Sequence, residues 1–336
     1  MTSPAQDPSP AARVLERVRA VADSRATVEP FGSSIYAPAH AEDVDVLVCD
    51  DDPARLAAAL GLTPIPTLPP RMTGTLEGVR VDVTVVTGDD ELARRMRSGP
   101  RDAAMLAAEL RAHGRDDVFQ AAWPQLRRFV RTRALGHNGL GWFGSFGWAL
   151  LLAVPLVHDP ELRTAPPGAA VPVWMRWLSR LSTGARIGFD GIRQGHGEPL
   201  FIVAPAPPLR DVARLTKRAA AALFAEARAA ALAIGDATSD ALAIDRIADI
   251  ADDPPAGTTL VIAGDDDHTR GRYDGVARGL LRDLEALGAI RSWGRFDLAA
   301  DGSWQHRITV PAHRAQPARE LVTRWLALTR IDAALE

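Results

Sequence analysis

The sequence predicts an α+β protein of three consecutive blocks: a small mixed-sheet domain, a mainly helical block and a small α/β sandwich. Three observations carry this. Two alternating apolar runs flank a short helix before residue 98; helical periodicity dominates from Glu91 to Ile234; and a strand–helix–strand–strand–helix order follows Asp252. At 336 residues the chain is too long for one compact core. With 47% apolar residues and mixed charge it belongs among folded proteins and not disordered ones. The blocks are read as a disordered, polar, Pro-rich tail over 1–10 and domains over 11–98, 99–250 and 251–336.

The first block opens with an amphipathic helix from Ala11 to about Ser24, marked by Val14, Val18 and Val21. Thr27 to Phe31 reads as a short strand ending at Gly32. Val44–Cys49 and Val79–Val86 alternate as strands, the second after a Gly-containing, hairpin-like turn. Between them Pro53 opens a helix that Gly61 closes. The second block predicts helices over Glu91–Arg97, Arg101–Ala112 and Asp116–Arg133. A Gly-rich segment (Gly136 to Gly147) leads into an apolar helix, and further helices follow over Pro172–Ser182 and Leu209–Ile234. Loops are expected at 166–168, 184–199 and 205–208. The third block predicts a strand at TTLVIAG, a helix over Tyr273–Leu287, strands over Ile290–Leu298 and Trp304–Val310 joined by the turn AADG, and a helix over Arg319–Ala334.

A net charge of −3 gives no global attraction to nucleic acid, so a basic groove would have to be local. Lys217 is the only lysine, an arginine bias read as the codon usage of a GC-rich genome, which the abundance of Ala, Gly and Pro also fits, and not as phosphate recognition. The single cysteine, Cys49, excludes an intramolecular disulfide and reads as a small buried hydrophobe. The polar first ten residues do not read as a signal peptide, and Phe146 to Val157 is too short to span a bilayer; a cytoplasmic enzyme without membrane association is the expectation.

The chemistry concentrates in the first block. Gly32-Ser33 follows a strand, where a glycine lets backbone approach a phosphate and the serine hydroxyl adds a donor. Asp43 and Asp45 lie two apart on a strand and point to one face. Asp82 stands on a later strand inside an apolar run, where an unpartnered carboxylate is costly. Three such carboxylates attract hard divalent cations, and two ions together activate an attacking hydroxyl and neutralise a leaving pyrophosphate.

Gly-Ser, a nine-residue gap, D-h-D-h and then h-D-h resembles the DNA-polymerase-β-like nucleotidyltransferase superfamily. The resemblance implies that Gly32 and Ser33 hold a nucleoside triphosphate and that Asp43, Asp45 and Asp82 are catalytic ligands of two Mg²⁺ ions, with Mn²⁺ a substitute. The segment from Arg131 to Ala153, with Asn138, Leu140-Gly141 and WFGSFGWALLLA, is similar to the central domain of eukaryotic-type poly(A) polymerases. LFIVAPAPPLRDVARLTKRAA is similar to that family's apolar-Thr-Pro-Ala-Tyr-Pro segment, and the last block to its RNA-recognition-motif-like domain. The resemblance runs over nearly the whole chain from Val28.

Carried over, Asn138 contacts the nucleotide and Arg131 takes the place of a triphosphate-binding lysine. Gly136 stands where the family has a base-stacking tyrosine, with His137 beside it as a partial substitute. The resemblance implies addition of adenylate from ATP to an RNA 3′-hydroxyl, with ATP or another NTP and an RNA 3′ end as partners. Arg127, Arg128 and Arg133, with Arg131, form a basic stretch suited either to RNA or to a solvated helix face. The same carboxylates would serve an oligonucleotide-second-messenger synthase, a CCA-adding enzyme or a small-molecule nucleotidyltransferase, and a non-catalytic RNA-binding relative would keep the fold. Trp142 and Trp148 read as packing residues. Asp265, Asp266, Asp267 and His268 read as a polar loop, because adjacent carboxylates cannot converge on one ion. Trp293, Phe296 and Trp304 read as core and not as a base-stacking platform.

Overall fold

The computed structural model describes residues 9–41, 43–65, 69–133, 135, 142–194, 200–207, 211–215, 217–248, 257–287, 296–298 and 303–336. The expected tail over 1–8 lies outside them. The chain divides into two compact units, Met1–Trp123 with Ala204–Arg210, and Pro124–Val203 with Asp211–Glu336.

The first unit begins with α1 (Pro10–Val21), one residue earlier than expected. The Ser9 side chain accepts from the Ala12 N–H, and Pro10 sits in the first turn where its missing N–H costs nothing. Next come β1 (Thr27–Phe31), the single turn α2 (Ser33–Tyr36), β2 (Val44–Cys49) and α3 (Pro53–Leu60). Asp52 caps α3, accepting from the Ala54 and Arg55 N–H groups, and left-handed Gly61 ends it. The strands β3 (Thr63–Ile65) and β4 (Arg71–Leu76), absent from the sequence reading, precede β5 (Val79–Val86). Their residues are threonine-, glycine- and proline-rich, and neither run alternates cleanly.

The five strands form one mixed sheet in the order β1-β2-β5-β4-β3. The central pair, β2 and β5, is parallel, and the other pairs are antiparallel. One face carries Val44, Val46, Val48, Val81, Val83 and Val85 into a core with Val14 and Val18 of α1 and Leu56 of α3. On the other face Leu47, Cys49 and Val86 pack beneath Ala93 of α4 (Glu91–Arg97), Phe31 and Met96. Apolar burial on both faces makes β5 a central strand and leaves only its polar side chains to be explained.

Helix α5 (Gly99–Ala112) follows, then α6 (Asp116–Thr132), which the division between units crosses at Pro124. Asp102 of α5 is buried and accepts a 3.2 Å bond from the Ala206 N–H, tying the returning segment into this unit.

In the second unit, α7 (Ser145–His158) is buried along most of its length and backs a four-stranded sheet. That sheet contains β6 (Ala185–Gly188), β7 (Gly191–Arg193), β8 (Leu200–Val203) and β9 (Asp211–Arg214), in the order β7-β6-β8-β9. Loops were expected over 184–199, and a helix from Leu209. The strands there are short and broken by glycine and proline, which hides the alternation. Helices α8 (Ala170–Arg180), α9 (Lys217–Ile234) and α10 (Asp240–Ala248) pack together.

A second four-stranded sheet, β11-β12-β10-β13, is antiparallel throughout. It comprises β10 (Thr258–Gly264), β11 (Phe296–Leu298), β12 (Trp304–Val310) and β13 (Ala334–Leu335), with α11 (Asp267–Ala286) and α12 (Ala315–Thr329). Asp266 caps α11 through the Thr269 N–H, so the acidic run after β10 opens a helix instead of forming a polar loop. Trp293 lies outside the described residues. Trp304 is buried as expected, and Gly264 opposite leaves room for it: a Cβ there would lie 2.7 Å from the indole. No described helix is long and apolar enough to cross a membrane.

Arg133 is buried, its Nε 2.9 Å from the Glu226 carboxylate, itself buried. Removing one partner of such a pair leaves an uncompensated charge, so Glu226→Leu is expected to cost about 3–5 kcal/mol in urea unfolding. The double variant Arg133→Met/Glu226→Leu is expected to recover most of that loss.

Candidate active site

The parallel pairing of β2 with β5 sets Asp45 directly opposite Asp82. On the other side of β2, Phe31, the last residue of β1, pairs with Asp45. Asp43 precedes β2 by one residue and shares the face of Asp45. The backbone therefore brings the three predicted carboxylates to one end of the sheet, next to the Gly32-Ser33 turn.

Gly32 has φ +70° and ψ −155°, a region open essentially to glycine alone. A Cβ at this position would overlap the Asp45 carboxylate, coming within 2.9 Å of its Cγ. Glycine is thus required twice, by conformation and by the side chain beneath it. Ser33 opens the single turn of α2, and the Ser34 hydroxyl donates to the Phe31 carbonyl at 3.0 Å. The turn is held from its far end, where Gln120 Nε2 of α6 donates to the Tyr36 carbonyl at 2.8 Å. The Tyr36 ring stands edge-on to Phe119 and Trp123, which stack on each other.

The electrostatics are those of an anionic cluster lacking enough positive charge. The Asp45 carboxyl is pushed up to about 7, chiefly by burial, then by the charges of Asp43 and Asp82, with Arg71 pulling the other way. Arg71, which the sequence reading did not single out, donates from Nε to Asp82 Oδ1 at 3.1 Å and from Nη2 to Oδ2. Its signal was slight: one arginine at the start of a strand that was itself not predicted.

Among the described residues no three His, Cys, Asp or Glu side chains are gathered closely enough to hold a metal unaided. Asp82 is turned to Arg71 instead. The donor set nevertheless fits a hard divalent cation, because all three groups are carboxylates and Asp45 is destabilised as an anion by its neighbours.

The remaining predicted residues divide differently. Gly136, His137 and Asn138 lie outside the described residues. Arg131 is exposed near the end of α6. Arg128 pairs with Asp245 at 2.9 Å and Arg127 is half-buried. Arg133 corrects the expectation of a nucleic-acid contact: its buried pairing with Glu226 turns it inward. Helical spacing alone did not reveal this, since burial of Arg133 depends on an acidic partner far along the chain.

No family model and no curated protein matches the sequence. Solved structures share its fold. The E. coli MS115-1 CdnC:HORMA-deltaN complex superposes with a TM-score of 0.50 and 20% identity, covering 70% of this chain and 87% of that one. Cid1 with its short product ApU gives 0.47 and 14%, over 66% and 84% of the two chains. Apo mtPAP gives 0.48 and 13%, over 70% and 66%. At these identities the likeness is one of fold.

The raised Asp45 carboxyl has a consequence for stability. Its folded value of about 7 exceeds the unfolded value of 3.8. The native state therefore holds this proton more tightly, and the contribution, complete below pH 4, is lost as pH rises to 7. In metal-free buffer Asp45→Asn is expected to match the wild type near pH 4 and to exceed it above pH 7, by no more than about 4 kcal/mol. Adding Mg²⁺ above pH 7 is expected to raise the melting temperature of the wild type and not that of the variant.

Proposed function

We propose that this protein is a Mg²⁺-dependent nucleotidyltransferase that joins the α-phosphate of a nucleoside triphosphate to a hydroxyl acceptor. The observation that carries this is the pairing of Asp45 with Asp82, with Asp43 on the same face and Gly32 against the Asp45 carboxylate. The likeness of fold to CdnC supports it.

On this reading Asp43, Asp45 and Asp82 are the ligands of two divalent ions, with Mn²⁺ able to replace Mg²⁺. Bound there, the ions would supply Lewis acidity and charge neutralisation. Gly32 lets the backbone approach the triphosphate, and Ser33 offers a hydroxyl donor. The acceptor oxygen forms its bond to the α-phosphorus as the bond to the departing pyrophosphate breaks, and the hydroxyl proton is lost to solvent. Arg131, His137 and Asn138 are assigned to the nucleotide by resemblance.

For the acceptor, the resemblance to poly(A) polymerases along the central block supports an RNA 3′-hydroxyl receiving adenylate from ATP, with 251–336 as an RNA-binding domain. A second reading, synthesis of a short oligonucleotide without an RNA primer, is favoured by the inward Arg133 and by the absence of an exposed aromatic among the described residues of β10 and β12.

Incubation with each of the four NTPs, with and without an oligo(A) primer, separates these readings. Primer extension with ATP supports the first, and primer-independent product the second. Absence of any product with Mg²⁺ or Mn²⁺ would sink both. Asp45→Asn and Asp82→Asn are expected to abolish product, and Gly32→Ala to lower its rate about 100-fold or more, because displacement of the turn misplaces the phosphate.

A further inference from the structure

Arg71 makes a charged contact in the carboxylate cluster that nucleotidyl transfer does not by itself explain. It is the first residue of β4 and pairs across the sheet with Thr84, while Asp82 pairs with Thr73. The arginine side chain therefore reaches diagonally along the neighbouring strand to its partner. It takes both oxygens of the carboxylate, Nε on Oδ1 and Nη2 on Oδ2, in the two-pronged geometry that only a guanidinium offers. The Asp82 side chain is 11% exposed and that of Arg71 44%, so the arginine is the member with room to withdraw.

This arrangement solves a problem that the fold creates. Asp82 is a carboxylate in an apolar strand, directly beside Asp45, and such a group requires a positive partner. A guanidinium and a divalent cation on one carboxylate repel each other, so they compete for it. We infer that Arg71 is a positioning residue for Asp82: its guanidinium is a resident counter-ion that a divalent cation must displace. This inference rests on the proposed metal-dependent reading of the same carboxylates. Metal loading is then an exchange of one cation for another, and Arg71 sets the metal concentration at which the cluster fills.

The exchange can be read without catalysis, by calorimetric titration of Mn²⁺ into the full chain. Arg71→Met is expected to bind Mn²⁺ about tenfold or more tightly than the wild type, the factor that a free-energy change of ~1.4 kcal/mol produces. Its metal-free form is expected to melt at a lower temperature. Arg71→Lys, with a charge but no fork, is expected to fall between them. Affinity in Arg71→Met equal to or weaker than that of the wild type overturns the exchange while leaving the metal site standing. If neither protein binds Mn²⁺, the metal-dependent reading fails and the exchange fails with it.

A second measurement needs no variant. Phenylglyoxal modification of the wild type, mapped by mass spectrometry, is expected to speed up at Arg71 on adding Mn²⁺. Arg55, paired with Asp51, serves as the reference. An unchanged or slower rate at Arg71 overturns the proposal.

Discussion

The first unit depends on one constraint: Asp45 and Asp82 occupy opposed positions on adjacent parallel strands, so two carboxylates are held side by side at the end of a buried sheet. The ladder fixes their Cα atoms opposite each other. Neighbouring like charges repel, and the cluster answers in two ways: the Asp45 carboxyl rises to about 7, and Arg71 caps Asp82. The six valines of β2 and β5 on the opposite face, packed on α1 and α3, keep that pairing in register.

The Gly32 turn follows from the same constraint. Phe31 is opposite Asp45, so the chain leaving β1 must pass directly over that carboxylate. Only a residue without Cβ can do so, and only glycine takes the backbone angles that turn the chain aside. The single turn of α2 is too short to hold itself, which is why the Tyr36–Phe119–Trp123 cluster and the Gln120 bond matter. Backbone close to a carboxylate at one end and anchored by aromatic packing at the other is a preorganised feature.

The legible parts of the sequence were those in which local pattern and tertiary role coincide. Strands β1, β2 and β5 alternate or run apolar, and α3 carries both its caps, so their bounds and the three aspartates could be read directly. What stayed hidden is non-local. β4 matters because it lies beside β5, and Arg71 matters because of the carboxylate it meets diagonally across that pair. The sheet β7-β6-β8-β9 is built from strands of three or four residues interrupted by glycine, too short for any period to show. Gly136, His137 and Asn138 remain assignments by resemblance alone.

The arginine stretch at the end of α6 is where sequence and structure pull apart, and the physical reason is burial. A run of arginines reads as a cationic face only if all of them meet solvent, and here Arg133, just past the end of α6, makes a buried ion pair while Arg128 of the helix pairs with Asp245. The sheet formed by β10 to β13 repeats the pattern. Trp304 and His306 point inward against Tyr273, whose ring centroid lies 4.9 Å from the indole, leaving Gln305 and Arg307 on the outer side of β12. The three carboxylates thus stand on fixed geometry at the sheet end, whereas of the arginine stretch Arg131 and Arg128 are the members left exposed.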